Sequence, residues 1–522
     1  MKKTRRSEAV VFKPYAQGQL QLPTDLEELI PEKHVVRVVD AAIERIDLRR
    51  LMSRYKGGGT SSYHPRMMLK VLVYAYTQRL YSSRQIAKAL RENVYFMWLS
   101  GNSRPDFRTL NRFRGEVMKG ILGDVFASVL ELLVEAGYVR LEAYFVDGTK
   151  LEANANRYGW VWAKSTRHYK GRLQEKVRAL LQEVERVNEA EDEAYGESDL
   201  EEVGEASQLD SEELERKMGE LNERLEGEGK DKKLARAVKK LKTDYLPRLK
   251  KYEEQERKLG GRSSYAKSDP EATFMQMKDG GLGRSSLRPA YNVQVGTEGQ
   301  FVVGYSVHQR AGDQGCLIPH LDQLKERLGR LPGKVVADAA YGTEENYAYL
   351  EREGLGNYVK YREFGREQHS RREGNARDAF RFEESTNTFI CRAGRRLDYV
   401  RTRPYISENG YHSQRRDYAC RDCAGCSHRS GCTRGVTNRT LQISFELQAM
   451  KQRARENLLS PEGVSLRARR GVEVESVFGR WKQNWGFRRF LLRGQQKVSI
   501  ELGLLGLAHN LSKVSAGTKL VS

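Results

Sequence analysis

The sequence predicts an α/β protein, in which a core of mixed strands and helices follows a helical domain and is interrupted by two insertions. Two short apolar runs end in a carboxylate, residues 143–147 closing on Asp147 and residues 334–338 closing on Asp338. Each reads as a buried strand entering a turn. Between them, residues 290–295 and 301–307 carry strand signals joined by Gly296, Thr297, Glu298 and Gly299, which read as a hairpin turn. Helical periodicity dominates on both sides of this core.

In chain order, Val35, Val39, Ala42, Ile43 and Ile46 recur at helical spacing, and Gly57, Gly58 and Gly59 then break the pattern. Pro65 stands where a helix start tolerates it, ahead of Met68, Leu69, Leu72 and Val73. Ser82 or Ser83 caps a further helix with Ile86, Ala87 and Leu90 inward. An arginine-rich helix start follows, with Arg108, Arg112 and Arg114. The pair has the outline of a helix-turn-helix, or equally of an ordinary bundle with a solvated basic face. Residues 1–135 are assigned to this helical domain and 136–169 to the first part of the core.

Three apolar stripes then mark a helical or coiled-coil insertion over 170–258: Leu173, Val177, Leu180, Val184 and Val187; Leu214, Met218, Leu221 and Leu225; and Leu234, Val238, Leu241 and Tyr245. An acidic stretch with little to bury, residues 189–210, lies between the first two, and the third stripe belongs to a basic helix over 230–251. The core resumes over 259–365 with the hairpin, a helix from about 316 to 328 and the strand that ends in Asp338. Residues 366–445, rich in Thr, Tyr, Arg, Gly and Cys, read as a small β-rich insertion with an Asn409–Gly410 turn. Residues 446–522 close the core with helices, the last of them apolar near 498–511.

The chain has 522 residues, 91 Lys plus Arg against 70 Asp plus Glu, and a formal net charge of +21. That length serves about three domains. A positive surplus of this size calls for a polyanion, and nucleic acid is the first candidate. Lys2, Lys3, Arg5 and Arg6 are followed by no apolar run of signal-peptide length, and no later run is long enough to span a membrane. Six cysteines, four of them between 420 and 432, argue against a disulfide scaffold and for a metal in a reducing compartment.

In an open α/β sheet, ligands gather at the carboxyl ends of parallel strands. Asp147 and Asp338 at the ends of neighbouring strands would therefore sit side by side, with Glu473 or Glu475 delivered across them from a late helix. Carboxylates packed so closely raise one another's pKa unless a cation neutralises them. The fitting cation is Mg²⁺ or Mn²⁺, which takes hard oxygen ligands. A pair of such ions suits the cleavage and joining of phosphodiesters.

Three runs also carry a family resemblance: residues 144–156 (from Tyr144 through Asp147, Gly148, Thr149 and Lys150 to Asn156), residues 337–342 (Ala337, Asp338, Ala339, Ala340, Tyr341, Gly342) and residues 475–482 (Glu475 through Phe478 to Lys482). With residues 30–115, they resemble bacterial insertion-sequence transposases of the DDE type, specifically the IS1182-like group. The resemblance implies an RNase H-like catalytic core in which Asp147, Asp338 and Glu475 are catalytic and bind two Mg²⁺ or Mn²⁺ ions. It also implies metal-dependent cleavage at the element's ends and strand transfer into target DNA, in the bacterial cytoplasm at the nucleoid. A homodimer is expected, because two ends must be held at once. Related transposases often carry Arg four positions before the Glu. Glu475 has Gly471 there, whereas Glu473 has Arg469 but lacks Lys seven positions on; Phe478 and Lys482 favour Glu475. A non-catalytic DNA-binding derivative, or a nuclease without strand transfer, would carry the same charge.

Around that helix, Lys482, Arg469, Arg470, Arg488, Arg489 and Trp485 are the expected DNA contacts, with Arg108 and Arg112 on the N-terminal domain. Trp485, Phe487 and Phe490 interleave with basic residues in the manner of a surface that stacks on unpaired bases. Arg467, Lys278, Arg284, Arg288, Arg493 and Lys497 are further phosphate neighbours. Cys420, Cys423, Cys426 and Cys432 have the paired spacing of a closed tetrahedral thiolate site, best suited to structural Zn²⁺, with His428 or Cys391 able to replace one ligand. An Fe–S cluster or unmetallated thiols are the alternatives. Cys316, His308 and His509 read as core. Gly280, Gly281 and Gly283 lack P-loop spacing, so nucleotide hydrolysis is not inferred.

Overall fold

The computed structural model describes residues 25–55, 62–195, 209–227, 232–278, 285–369, 380–407, 409–433 and 437–517. The Gly57–Gly59 break, the Gly280–Gly283 loop, Arg284 and most of the acidic stretch lie outside the described residues.

The N-terminal third is helical: α1 (Val35–Arg45), α2 (Pro65–Thr77), α3 (Ser83–Glu92), α4 (Phe107–Arg112) and α5 (Leu122–Glu135). Pro65 opens α2 with the fixed φ that a first helical turn needs, and His64 accepts the Arg66 N–H as its cap. Ile86 and Leu90 of α3 are fully buried, as their spacing predicts.

The central sheet contains β1 (Ala143–Glu152), β2 (Thr273–Lys278), β3 (Ser285–Glu298), β4 (Phe301–His308), β5 (Lys334–Ala337) and β6 (Gly356–Val359). Its order is β4–β3–β1–β5–β6, with β2 continuing the β4 edge along the other end of β3. β1, β3 and β4 form an antiparallel meander, while β5 and β6 add parallel to β1. The β3–β4 hairpin turns later than the sequence predicts. Glu298 pairs with Phe301, so Gly299 and Gln300 make a two-residue turn, and both have positive φ. That is the backbone which matches strand twist, and it leaves Gly296 inside the strand. No side chain fits at Gly296, because a Cβ there would meet the Tyr144 ring at 1.8 Å.

A helical excursion, α6 (Ala163–Tyr195), α7 (Ser211–Gly227), α8 (Lys232–Lys240) and α9 (Leu246–Leu259), closes on its own apolar cluster of Leu173, Val177, Leu214, Leu241 and Leu249. α10 (Leu317–Leu328) and α11 (Glu344–Arg352) provide the crossovers into β5 and β6. A second, antiparallel sheet follows: β7 (Phe380–Glu383), β8 (Thr388–Cys391), β9 (Arg396–Ile406), β10 (His412–Cys420) and β11 (Thr440–Ile443), in the order β11–β10–β9–β8–β7. It buries Phe389, Leu397, Tyr418 and Leu441.

The chain ends in α12 (Phe445–Leu459), α13 (Pro461–Gly479) and α14 (Gln495–Ser515). α14 is buried almost throughout and packs against both α2 and β4, so the N-terminal helices and the central sheet share one continuous core. Its Asn510 amide both donates to and accepts from the backbone of Val302, at 2.8 Å each, and so completes the edge strand's hydrogen bonds. Among the described residues no helix is long and apolar enough to cross a membrane.

Candidate active site

β1 and β5 are parallel neighbours with Phe145 opposite Val336, so Asp147 on β1 and Asp338, the first residue after β5, stand side by side. α13 packs across both strands. From it Arg470 reaches between the carboxylates, 3.1 Å from Asp147 Oδ2, 3.6 Å from Asp338 Oδ2 and 3.7 Å from Glu475 Oε1. Only 14% of the Arg470 side chain is exposed, and its Nε is buried without a hydrogen-bond partner. Three carboxylates from three elements thus converge on one guanidinium.

Burial pushes the Asp147 carboxyl up to about 6, and the Asp338 and Asp313 charges add to this against the pull of Arg470 and the Gly148 N–H. Asp338 accepts the Ala340 N–H at 2.8 Å, which fixes the turn below it. The donor set, three carboxylates already gathered about a cationic centre, has the hard oxygens that Mg²⁺ or Mn²⁺ takes. Even so, among the described residues no three Asp, Glu, His or Cys side chains close tightly enough to hold an ion, because the guanidinium separates them.

The two glutamates differ sharply. Glu475 is 60% exposed and faces Arg470, whereas Glu473 is 7% exposed. Glu473 accepts the Gln300 N–H at 2.7 Å and pairs with Arg469 at 3.0 Å. Glu473 is therefore buried and anchors the β3–β4 turn to α13.

Among the expected DNA contacts, Trp485 is corrected outright. It is buried beside the His509 ring with Arg480 over its face, so no base can stack on it. Phe487 and Phe490 are buried as well, since the chain after α13 runs beside the end of β1, where the Glu152 N–H donates to the Arg488 carbonyl and the Glu152 carbonyl accepts the Phe490 N–H. Arg288, Arg489 and Arg157 surround the buried Glu152, so two of the arginines expected to face phosphate are tied to a carboxylate of the protein's own. Lys497 pairs with Glu116, Arg493 donates to the Asn154 carbonyl, and Arg467 donates to the Leu458 carbonyl. Arg469 is held by Glu473 and lies over the Phe145 ring. Arg488 is exposed and donates to Gln483. Arg108 and Arg112 are both exposed on α4, and Lys278 ends β2. Lys482 donates to the Thr149 hydroxyl, two residues beyond Asp147, and burial pushes its ammonium down to about 8.

Asp313, Asn292 and Gln294, which no motif of the sequence marks, join Tyr341 behind the carboxylates. Asn292 and Gln294 share one face of the otherwise apolar stretch 290–295 of β3, a readable sign of a buried polar cluster. Asp313 accepts from both of their amides, at 2.7 and 2.9 Å.

Cys391, Cys420, Cys423, Cys426, Cys432 and His428 all line one cavity beside the second sheet, and no disulfide joins the cysteines. Cys423 Sγ accepts the Arg439 N–H at 3.3 Å. These thiols line the cavity but are not drawn together as tightly as the tetrahedral thiolate reading requires. Cys316 is core, and His509 is buried with its ring nitrogen 3.0 Å from the Gln300 carbonyl.

Residues 24–116 match the family model described as Transposase domain (DUF772), and residues 390–515 match the one described as Transposase DDE domain. The second span contains Glu475 and the cysteines that line the cavity. No curated protein matches the chain.

Proposed function

From a chain whose two transposase domains indicate an insertion-sequence transposase of the DDE type, and whose domain pairing fits the IS1182-like group, we propose a DNA-cleaving and strand-joining enzyme. The observation that carries this reading is the convergence of Asp147, Asp338 and Glu475 on the Arg470 guanidinium. The strand order supports an RNase H-like core: an antiparallel meander, two parallel strands reached through α10 and α11, and a late helix bearing the glutamate.

Asp147, Asp338 and Glu475 would hold two Mg²⁺ or Mn²⁺ ions, which when bound stabilise charge on a reacting phosphate and make water a better nucleophile. The chain's own residues do the remaining work. β1 and β5 fix two carboxylates in parallel register, α13 brings the third, and Arg470 and Lys482 supply cationic groups to the phosphate backbone beside them. Hydrolysis of one phosphodiester leaves a 3′-hydroxyl at the element's end. Its attack on target DNA exchanges one phosphodiester for another, so no nucleotide cofactor is needed. Arg488, Arg108 and Arg112 extend the basic surface along the duplex. Cys420, Cys423, Cys426 and Cys432 line the cavity beside the second sheet without closing on one another; drawn together, they would hold a structural Zn²⁺ that braces that sheet. The working form is a homodimer that holds two ends at once.

The test is cleavage of a duplex carrying the element's end in Mg²⁺. Asp147→Asn and Asp338→Asn are expected to abolish nicking while leaving DNA binding intact, and full cleavage by both would sink the reading. Salt-sensitive binding without nicking by the unaltered protein would make it a DNA-binding derivative. Nicking without joined product would make it a nuclease.

A further inference from the structure

Behind the carboxylates lies a second layer of polar side chains that links the two aspartate turns. Gln294 on β3 stands opposite Gly148, the residue after Asp147, and is fully buried. Its amide nitrogen donates to Asn292 Oδ1 at 3.0 Å and to Asp313 Oδ1 at 2.9 Å. Its carbonyl oxygen accepts the hydroxyl of Tyr341, itself fully buried at the end of the short turn that starts at Asp338. Asn292 completes the triangle by donating to Asp313 at 2.7 Å. Every hydrogen-bonding position of the Gln294 side-chain amide nitrogen is used, which makes this a satisfied network that rigidifies its surroundings.

The network bears on both aspartates. On one side it presses against Gly148, where a Cβ would lie 2.4 Å from Asp313 Oδ1 and 2.5 Å from Gln294 Nε2, so only glycine fits. On the other side Tyr341 is three residues beyond Asp338. The Asp338 carbonyl accepts the Tyr341 N–H at 3.3 Å, and the Tyr341 carbonyl accepts from Asn346, which also holds the Gln314 carbonyl next to Asp313. One chain of hydrogen bonds therefore runs from the Asp313 and Gln294 side chains packed against Gly148 to the turn of Asp338.

We propose that Gln294, Asp313 and Tyr341 are positioning residues that set the separation of Asp147 and Asp338, and through it the choice between Mg²⁺ and Mn²⁺. The inference rests on the carboxylate reading of the preceding subsection. Mg²⁺ demands near-ideal octahedral geometry whereas softer coordination tolerates a displaced ligand, so loosening the network penalises Mg²⁺ more.

The variant that removes one bond and little volume is Tyr341→Phe. Mg²⁺-supported nicking is expected to fall about tenfold or more while Mn²⁺-supported nicking falls no more than about threefold, within the range that outer partners of metal ligands command. Calorimetric titration of the DNA-free protein with each metal should show the same split in affinity. If Tyr341→Phe does not fold, Asp313→Ala, which removes the oxygen that accepts from both amides, serves in its place. Equal losses with both metals, or none, overturn the proposal. Asp147→Asn separates the two levels of inference. If it binds Mn²⁺ as tightly as the unaltered protein, the carboxylate reading itself fails. If it loses Mn²⁺ binding while Tyr341→Phe keeps the metal preference, only the positioning role fails.

Discussion

Arg470 donates to Asp147 at 3.1 Å, so a cation of the protein's own already stands among the carboxylates. Any metal ion that the same carboxylates hold must compete with that guanidinium. Arg470→Gln removes the competitor and leaves Asp147, Asp338 and Glu475 repelling one another. The DNA-free variant should melt below the unaltered protein in chelator and recover when Mn²⁺ is added. Calorimetry should show Mn²⁺ binding about tenfold tighter, a gain of about 1.4 kcal/mol. Unchanged Mn²⁺ affinity would show that the contact with Asp147 does not govern access to the site.

Alanine substitution distinguishes the two glutamates. Glu475→Ala alters an exposed side chain, so its effect on stability should stay within about 0.5 kcal/mol. Its loss of nicking should exceed about a hundredfold, beyond what losing an outer partner of a ligand costs. Glu473→Ala should do the reverse: nicking persists, and stability falls by about 1–3 kcal/mol because the Gln300 N–H and Arg469 lose their acceptor. Thermal melts and nicking assays on the same preparations decide between them. The opposite pattern would exchange their roles.

What could be read from the sequence was mostly local. An apolar run that ends in Asp marks a strand and its exit, so Asp147 and Asp338 were visible without knowing which strands pair. The Gln294–Asp313–Tyr341 network was not, because it depends on the register of β1 with β3 and on a loop that no periodicity announces. The aromatic and basic interleaving after α13 misled for a related reason. Its spacing suits a surface, but Trp485, Phe487 and Phe490 all turn inward once α14 provides a core to meet them. The arginines nearby were read by charge alone, and charge does not reveal that a buried Glu152 collects three of them.

Lys482 predicts a pH dependence. Its ammonium is pushed from 10.5 down to about 8, chiefly by burial, with Arg488 adding to the shift. A base whose folded pKa is depressed destabilises the fold while charged, so the penalty is full below about 8 and disappears as pH rises toward 10.5. Lys482→Met should therefore stabilise the protein at pH 7, by no more than about 3 kcal/mol. It should also weaken DNA binding. In the unaltered protein that binding should weaken as pH rises past about 8, whereas Lys482→Arg stays charged and should bind evenly across the range. Parallel curves for the unaltered protein and Lys482→Arg would remove Lys482 from the DNA contact.

The cysteine cavity gives a prediction that needs no DNA. Emission spectrometry on purified protein should find about one zinc per chain, as a closed thiolate site requires. Cys423→Ser, which removes a sulfur already accepting the Arg439 N–H, should lose that zinc and lower the melting temperature. Cys316→Ser, a change remote from the cavity, should keep it. Protein that is fully active and free of zinc would end the structural-metal reading.

A buried charged pair joins the helical N-terminal third to the core. Arg114 and Glu501 are both buried, 3.9 Å apart, with Arg114 donating to the Tyr81 carbonyl at 2.6 Å and Glu501 accepting the Leu491 and Leu492 N–H groups at 2.8 Å each. Removing one partner of such a pair strands the other charge in a medium that cannot solvate it. Arg114→Met should therefore cost about 3–5 kcal/mol, read as a lower urea midpoint. Adding Glu501→Gln, which leaves an acceptor for the two N–H groups but no charge, should recover at least about 1 kcal/mol. Burial already pushes the Glu501 carboxyl above 4.5, and without Arg114 the upward push has less to oppose it. A carboxyl whose folded pKa is raised favours the fold when protonated, and this contribution is lost as pH rises through that raised value. The deficit of Arg114→Met should accordingly shrink as pH falls from 7 toward 4.5. A double variant no more stable than Arg114→Met, or a deficit independent of pH, would show that Arg114 stabilises the junction by packing alone.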